Sequence, residues 1–298
     1  MDAVITLIAD AKKEPLSQGF VEGMGASLAL GGWTAGRSHW LGEGEACDIF
    51  VETARLDTLD SAVAAIMEDQ PYDAVVQPAA GRRKKLLISD MDSTLITVEC
   101  IDELADFVGK KAEVAEITER AMNGELVFES ALRERVALLA GLPVGVLQQC
   151  YEERVQLMPG AKTLMATMKA HGAHGVVVSG GFTFFTGRVR EALGFDEDYS
   201  NRLEVEHGVL TGRVIPPILG KEAKLAQLQD TCRRLGISLA EALAVGDGAN
   251  DLPMLLAAGL GAAYHAKPVV RAQANARISH CDLSALLFVQ GYARSEWQ

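Results

Sequence analysis

Three short apolar runs, each followed at once by polar or glycine residues, place the strongest constraint on the fold of this chain. They are KLLISD (85–90), GVVVSGG (175–181) and ALAVGDG (242–248). A strand that is apolar on both sides must be covered on both sides, as a central strand of a parallel sheet is by two layers of helices. The runs therefore predict an α/β fold: a doubly wound parallel sheet whose functional site lies at the carboxyl ends of its strands.

The chain of 298 residues is long enough for two domains. Residues 1–83 alternate in the order βαββαβ and predict a small N-terminal α+β domain, which the basic segment GRRKK (81–85) separates from a second domain at 84–298. The residues between the first two apolar runs read almost entirely as helix, which predicts a helical cap at about 100–158. The segment RLEVEHGVLTGRV (202–214) predicts an antiparallel hairpin at one edge of the sheet.

Composition excludes several classes of function. The net charge of −12 disfavours nucleic acid and anionic membranes as partners. The five cysteines are scattered without a CxxC pair, so neither a disulfide framework nor a zinc site is indicated. No apolar stretch is long enough to span a bilayer, and charges among the first twenty residues argue against a signal peptide. We therefore expect a soluble, cytoplasmic protein.

Acidic residues follow two of the apolar runs. Asp90 and Asp92 come directly after the first, and Asp247 and Asp251 follow the third. Two carboxylates held close together would raise the pKa of one of them strongly, whereas a hard dication such as Mg²⁺ removes the repulsion and prefers oxygen ligands. Either motif alone could simply form a turn. Two of them on buried strands favour a metal site built from carboxylates.

Candidate groups for binding an anion follow the second run. Ser179, Gly180 and the next glycine leave a strand and enter a helix, so they could offer a hydroxyl and backbone N–H groups to a phosphate. Taken alone, this tripeptide fits an ordinary strand-to-helix turn better. A lysine near the start of the helix KEAKLAQLQDTCRRLG could add a positive charge, and the pattern does not choose between Lys221 and Lys224.

An arginine interrupts the apolar face of a helix predicted over 127–140. Arg135 lies in the middle of a stripe formed by Phe128, Leu132 and Leu139. A buried guanidinium is costly without a partner. Either a carboxylate of the protein meets it, or it binds a carboxylate or phosphate of a ligand in bidentate fashion. The pattern does not decide between the two.

Glu99 lies just before the segment IDELADFVG, which is predicted to be helical. A carboxylate at a helix N-terminus is favoured by the helix dipole. The alternative is an anion that faces a substrate and holds an ammonium group. Taken alone, the position favours the first interpretation.

The order of these motifs resembles a known family. DMDSTL after an apolar strand, VSGGF, a lysine before the last of the three strands and VGDGANDLPM resemble the four motifs of the haloacid-dehalogenase-type phosphatases. ISDMDSTLITVECIDELA, AMNGELVFESALRERVALL and VGDGANDLPML are similar to the phosphoserine branch of that family. The resemblance covers residues 84 to about 290. The N-terminal region loosely resembles an ACT-type amino-acid-binding fold.

The resemblance implies an activity and the residues that carry it out. It implies a Mg²⁺-dependent phosphatase that releases L-serine from O-phospho-L-serine, the last step of serine biosynthesis. Asp90 would be the nucleophile that forms an aspartyl-phosphate, and Asp92 the general acid and then base. The metal ligands would be the carboxylates of Asp90 and Asp247 and the backbone carbonyl of Asp92. Asp251 would help to hold the metal indirectly, through these ligands. Phosphoryl ligands would be Ser179, Gly180, Asn250 and, by family spacing, Lys224 rather than Lys221. Substrate contacts would be Glu99 (ammonium), Arg135 (carboxylate) and the covering side chains Met122 and Phe128.

Other functions are compatible with parts of this pattern. The same chemistry could act on another small phosphomonoester, as a phosphatase or phosphotransferase. A phospho-acceptor signalling protein would have no use for Asp92, and a serine-sensing protein would leave the motif residues idle. L-serine binding at the N-terminal domain and a homodimer are further expectations.

Overall fold

Two β-sheets organise the chain. Within residues 2–123 and 125–298, which the computed structural model describes, one sheet has four strands and the other seven. The first is formed by residues 2–78 and the second by residues 86–278.

The first sheet carries two helices on one face. Its elements are β1 (Asp2–Ala9), α1 (Gln18–Leu30), β2 (Ala35–Gly42), β3 (Ala46–Glu52), α2 (Leu56–Met67) and β4 (Tyr72–Pro78). The strands lie in the order β2-β3-β1-β4, and each neighbouring pair is antiparallel. Ile5 and Leu7 of β1 pack with Met24 and Leu28 of α1. The predicted βαββαβ order and small N-terminal sheet are confirmed.

The second sheet is parallel except at one edge. Its strands are β5 (Leu86–Ser89), β6 (His174–Phe182), β7 (Glu197–Glu206), β8 (Val209–Ile215), β9 (Ala242–Gly246), β10 (Leu260–Tyr264) and β11 (Ala276–Ile278). Their order is β11-β10-β9-β5-β6-β7-β8, and only the β7–β8 pair is antiparallel. Leu86 and Ile88 of β5 enter one apolar cluster while Leu87 enters another. This burial on both sides is why the three runs are continuously apolar.

The β7–β8 hairpin was predicted from its turn. His207 and Gly208 both have positive φ angles, +51° and +81°, as a two-residue turn between twisted strands requires. The hairpin forms one edge of the sheet, and the prediction is confirmed.

Helices cover the second sheet. The described part of the segment between β5 and β6 contains α3 (Cys100–Asp106), α4 (Lys111–Met122), α5 (Phe128–Ala137), α6 (Gly145–Arg154) and α7 (Ala161–Ala170). After β6 come α8 (Thr183–Leu193), α9 (Lys221–Leu235), α10 (Leu252–Ala257), α11 (Pro268–Arg271) and α12 (Ala285–Val289). The predicted helical insertion is confirmed. No helix in the described part of the chain combines the length and the apolar character that crossing a bilayer requires.

The helix predicted over 127–140 is shorter than expected. It begins at Phe128 and ends at Ala137, so Leu139 lies beyond its C-terminus. Leu139 is nevertheless fully buried, because the chain turns there toward Gly141, whose N–H donates to the carbonyl of Leu210 in β8. The buried Leu139 continued the apolar spacing of the helix, so the sequence pattern placed the end of the helix too late.

Buried ion pairs and hydrogen bonds join the two sheets. Arg82 of the basic segment donates to Asp48 of β3, with Nη1 2.6 Å from Oδ2, and only 10% of the arginine side chain and 2% of the aspartate are exposed. Asp73 of β4 accepts N–H groups from the backbone of 279–281. Arg82 also donates to the backbone carbonyls of residues 288 and 289, in α12, so it ties the first sheet to that helix. That the two sheets form separate domains divided at residue 83/84 stays a prediction.

Substituting Arg82 tests this tie. We expect Arg82→Met to lower the free energy of unfolding by about 3 kcal/mol, because it leaves the Asp48 carboxylate buried without its cation. The control is Arg83→Met, since Arg83 pairs with Glu296 at the surface and such pairs contribute at most about 1 kcal/mol. Urea denaturation followed by tryptophan fluorescence measures both. Equal effects of the two substitutions would contradict a buried tie.

Candidate active site

The carboxyl ends of three neighbouring strands bring the predicted site residues together. β9 and β6 flank β5 on its two sides, so the residues that end these strands meet at one edge of the sheet. One cavity there is lined by predicted residues from sheet and cap: Asp90, Asp92, Glu99, Met122, Phe128, Arg135, Ser179, Gly180 and Asn250. The remaining predicted residues lie beside Asp90 in a buried charged cluster: Lys224, Asp247 and Asp251.

The carboxylates of Asp90 and Asp92 diverge in the turn that follows β5. Oδ1 of Asp90 accepts the N–H of Met91, and Oδ2 lies 2.7 Å from Nζ of Lys224. Asp92 instead accepts the N–H of Cys100, at the start of α3, at 3.0 Å. The turn therefore relieves part of the crowding that the DMD motif implied, and it points the two groups at different partners.

A lysine is buried among three carboxylates. Nζ of Lys224 is 2.7 Å from oxygens of both Asp90 and Asp251, and its side chain is fully buried. Carboxylate oxygens of Asp90, Asp247 and Asp251 all lie within 4.8 Å of one another. Burial by itself disfavours the ammonium form, but the two bonded carboxylates outweigh it and raise the pKa of Lys224.

The cluster has more negative than positive charge. Burial raises the pKa of Asp247 well above its usual value, and the carboxylates of Asp251 and Asp90 add to the effect. Burial and the charge of Asp90 also raise the pKa of Asp251 to about 7. One ammonium does not balance three carboxylates, and the donor set is oxygen alone. These residues therefore fit a hard divalent cation.

Asp92 is placed to exchange a proton. Burial raises the pKa of Asp92 to about 6. The hydrogen bond from the N–H of Cys100 lowers this pKa, and the nearby charge of Asp90 raises it. Oδ2 of Asp92 accepts from the hydroxyl of Ser179 at 3.4 Å, across the same cavity. A carboxyl group that titrates near neutral pH can both donate a proton and take one back.

The glycines after Ser179 make room for side chains of the site. A Cβ atom on Gly180 would lie 2.5 Å from the ring of Phe128, and one on Gly181 would lie 2.6 Å from Oδ2 of Asp92. Residues with side chains would therefore displace Phe128 and Asp92. This close packing distinguishes the tripeptide from an ordinary strand-to-helix turn.

Glu99 and Arg135 face the same cavity without pairing. Glu99 stands at the N-terminus of α3, but its carboxylate makes no bond to the helix and accepts from Ser93 Oγ at 2.6 Å. Burial, with the charges of Asp92 and Asp247, raises the pKa of Glu99 well above its usual value. Arg135 is 5% exposed, and no carboxylate of residues 2–123 or 125–298 lies within 4.0 Å of its guanidinium. The structure therefore disfavours a protein carboxylate as the partner of Arg135.

Sequence reasoning missed several residues that hold this site. Thr94 donates to Oδ1 of Asp247, and Ser93 holds Glu99; both follow the DMD motif directly, so their position was a usable signal. Asn201 of β7 donates to the carbonyl of Gly180 and accepts the N–H of Leu219, just before α9. Nothing in the sequence around Asn201 marks it.

Comparisons with known proteins agree on one family. Residues 87–256 match the family model described as haloacid dehalogenase-like hydrolase. A phosphoserine phosphatase of Polaromonas sp. is 51% identical over 208 residues, which span 68% of this chain and 88% of that protein. An HAD family hydrolase from Salmonella enterica serovar Typhi is 29% identical with a TM-score of 0.84, covering 97% of this chain and 98% of that one. A phosphoserine phosphatase solved as a phospho-aspartyl intermediate analogue is 41% identical with a TM-score of 0.67, covering 69% and 98%.

The charge imbalance of the cluster predicts how a divalent cation affects stability. We expect MgCl₂ to raise the Tm of the wild-type protein, because a ligand that binds only the folded state stabilises it, by about 2.7 kcal/mol at a hundredfold excess over Kd. Asp247→Asn should abolish this shift. It should leave the cation-free protein at least as stable, since it removes one crowded charge.

The matched control for that experiment is Asp230→Asn, on the exposed side of α9, which should keep the full shift. Differential scanning calorimetry with and without MgCl₂ measures all three proteins. An unchanged shift in Asp247→Asn would show that the cation binds elsewhere.

Proposed function

Because the chain belongs to the haloacid dehalogenase-like hydrolase family, we propose that it hydrolyses O-phospho-L-serine to L-serine and phosphate. One observation carries the proposal. A single cavity contains the two strand-end carboxylates, Asp90 and Asp92, together with an unpaired Glu99 and Arg135. The first pair suits transfer of a phosphoryl group, and the second pair suits the ammonium and carboxylate of an amino acid.

The reaction divides into two steps. An oxygen of Asp90 attacks phosphorus and forms an aspartyl-phosphate, while the bond from phosphorus to the serine oxygen breaks and Asp92 gives that oxygen its proton. Asp92, now ionised, takes a proton from water as the water oxygen attacks phosphorus. Phosphate leaves and Asp90 is regenerated. The relative solved as a phospho-aspartyl intermediate analogue supports this route.

Cations and hydrogen-bond donors must stabilise the negative charge on the phosphoryl oxygens. Lys224 already contacts Asp90, so its ammonium would lie next to the transferred group. Ser179, the N–H of Gly180 and Asn250 would bind the other phosphoryl oxygens. Mg²⁺ would be held by Asp90, Asp247 and the carbonyl of Asp92, with Asp251 behind them. When bound, it would neutralise charge on the phosphoryl oxygens.

Recognition of the amino acid falls to the cap. Glu99 would hold the ammonium and Arg135 the carboxylate of the substrate, and Met122 and Phe128 would cover it. A sugar phosphate has no use for a buried carboxylate and guanidinium in one cavity, whereas a zwitterion needs both. That residues 1–83 bind L-serine, and that the chain forms a homodimer, stay predictions.

Phosphate release from a substrate panel tests the function. The panel is O-phospho-L-serine, O-phosphoethanolamine, which lacks the carboxylate, and 4-nitrophenyl phosphate, each with and without Mg²⁺. We expect the highest kcat/KM for phosphoserine, and we expect Asp90→Asn to lower kcat by about a thousandfold or more because the nucleophile is lost. Turnover without metal, or full activity of Asp90→Asn, would contradict the mechanism.

Arg135→Ala tests recognition of the substrate carboxylate. Loss of charge-assisted hydrogen bonds should raise KM for phosphoserine by about a hundredfold and leave KM for phosphoethanolamine nearly unchanged. Arg133→Ala is the control, since Arg133 lies on the same helix and is exposed. If Arg135→Ala raised both KM values equally, Arg135 would have no role in recognising an amino acid.

A further inference from the structure

We infer that Thr118 and Asp102 form a hydrogen-bonded relay that positions Arg135 and so sets the preference for substrates with a carboxylate. The inference rests on the proposed function, because it assumes that Arg135 binds the substrate carboxylate. Thr118 and Asp102 are positioning residues, since they act through Arg135.

The relay connects three helices of the cap. Nη1 of Arg135, on α5, donates to Oγ1 of Thr118, on α4, at 2.9 Å. Oγ1 of Thr118 lies 2.7 Å from Oδ1 of Asp102, on α3. Thr118 is 3% exposed and lines the cavity together with Arg135. A buried hydroxyl at this point is therefore the only described link between the arginine and the aspartate.

The direction of the relay follows from counting hydrogens. The hydroxyl of Thr118 has one hydrogen and two acceptors in reach, Oδ1 of Asp102 at 2.7 Å and the carbonyl of Val114 at 3.0 Å. The carboxylate is the nearer acceptor, and hydrogen bonds to ionised acceptors are the stronger ones. Thr118 therefore accepts from Arg135 and donates to Asp102. The side chain of valine, which has the same shape, can do neither.

The relay fixes one side of the guanidinium and leaves the other side open. Nε of Arg135 donates to the carbonyl of Ala131 and Nη1 to Thr118. No acceptor within residues 2–123 and 125–298 bonds to Nη2. Because the guanidinium is planar and rigid, two fixed nitrogens determine where the third points.

A hydroxyl between the two charges preserves the attraction of Arg135 for a substrate. Asp102 lies more than 4.0 Å from the guanidinium, so the two residues do not form an ion pair. A direct ion pair would place a protein carboxylate where the substrate carboxylate must bind. Through Thr118, Asp102 orients the arginine without occupying its free nitrogen. The relay thus fixes the orientation of the Arg135 guanidinium and leaves its positive charge without a carboxylate partner.

Kinetics of Thr118→Val test the relay. We expect KM for phosphoserine to rise about tenfold, the effect of one charge-assisted hydrogen bond, with kcat nearly unchanged. KM for phosphoethanolamine, which lacks the carboxylate, should stay within about twofold. Thr118→Ser keeps the hydroxyl and should restore KM to within about threefold of wild type. Asp102→Leu, which removes the final acceptor, should raise KM for phosphoserine alone, by a smaller factor.

The control removes a buried hydroxyl outside the cap. Thr167→Val, on α7, loses the acceptor for the N–H of Gln298 and should leave both KM values unchanged. A Thr118→Val enzyme with unchanged KM for phosphoserine, or with both KM values raised equally, would overturn the relay. An unchanged KM in Asp102→Leu would remove Asp102 from it. If the wild-type enzyme itself did not prefer phosphoserine to phosphoethanolamine, the proposed function would fail instead.

Discussion

The ammonium of Lys224, buried between the carboxylates of Asp90 and Asp251, is the interaction on which the site depends. It joins the end of β5, the first turn of α9 and the loop after β9, three segments distant in the chain. Removing the ammonium would leave the buried carboxylates without their cation, which costs several kcal/mol. In the proposed mechanism, the same contact places a positive charge next to the Asp90 carboxylate, which must approach a negatively charged phosphoryl group. The side chain of Lys224 therefore both holds three segments together and supplies a positive charge beside Asp90.

The loops at the carboxyl ends of the outer strands serve both sheets. Backbone N–H groups of 279–281 bind Asp73 in the first sheet, and the carbonyl of Cys281 contacts the ring of His265 at 3.0 Å. Lys267 lies two residues after His265, and its N–H donates to the carbonyl of Asp247. The backbone that supports Asp247 is thus continuous with the backbone on which the N-terminal sheet rests. The attachment of the first sheet and the acidic cluster are therefore connected by a series of hydrogen bonds.

The fold and the strand-end residues could be predicted because both follow from local pattern. Continuous apolar runs identify central strands, and parallel strands bring the residues after them to one edge. The choice between Lys221 and Lys224 could not be made from the helix pattern: Lys224 is fully buried, while the Lys221 side chain is 56% exposed. Thr118 and Asn201 were missed because their partners are brought to them by the packing of separate elements, which no local pattern specifies. The position of Glu99 was misleading for a related reason. A carboxylate before a helix usually stabilises the helix N-terminus, but the carboxylate of Glu99 makes no hydrogen bond to α3.

In the proposed function, residues of two different parts of the molecule carry out the chemistry and recognise the substrate. Asp90 and Asp247 directly follow β5 and β9, two paired strands of the sheet, and Lys224 reaches Asp90 from α9. Glu99 and Arg135 belong to cap helices, which are held by side-chain contacts such as that of Ser93 with Glu99. Strand pairing does not constrain the cap, but the cap contacts the carboxylate site at two points: the N–H of Cys100 donates to Asp92, and the ring of Phe128 packs against Gly180. In this chain Glu99 and Arg135 present one buried group of each sign to the same cavity, and the proposed preference for an amino acid depends on these two groups.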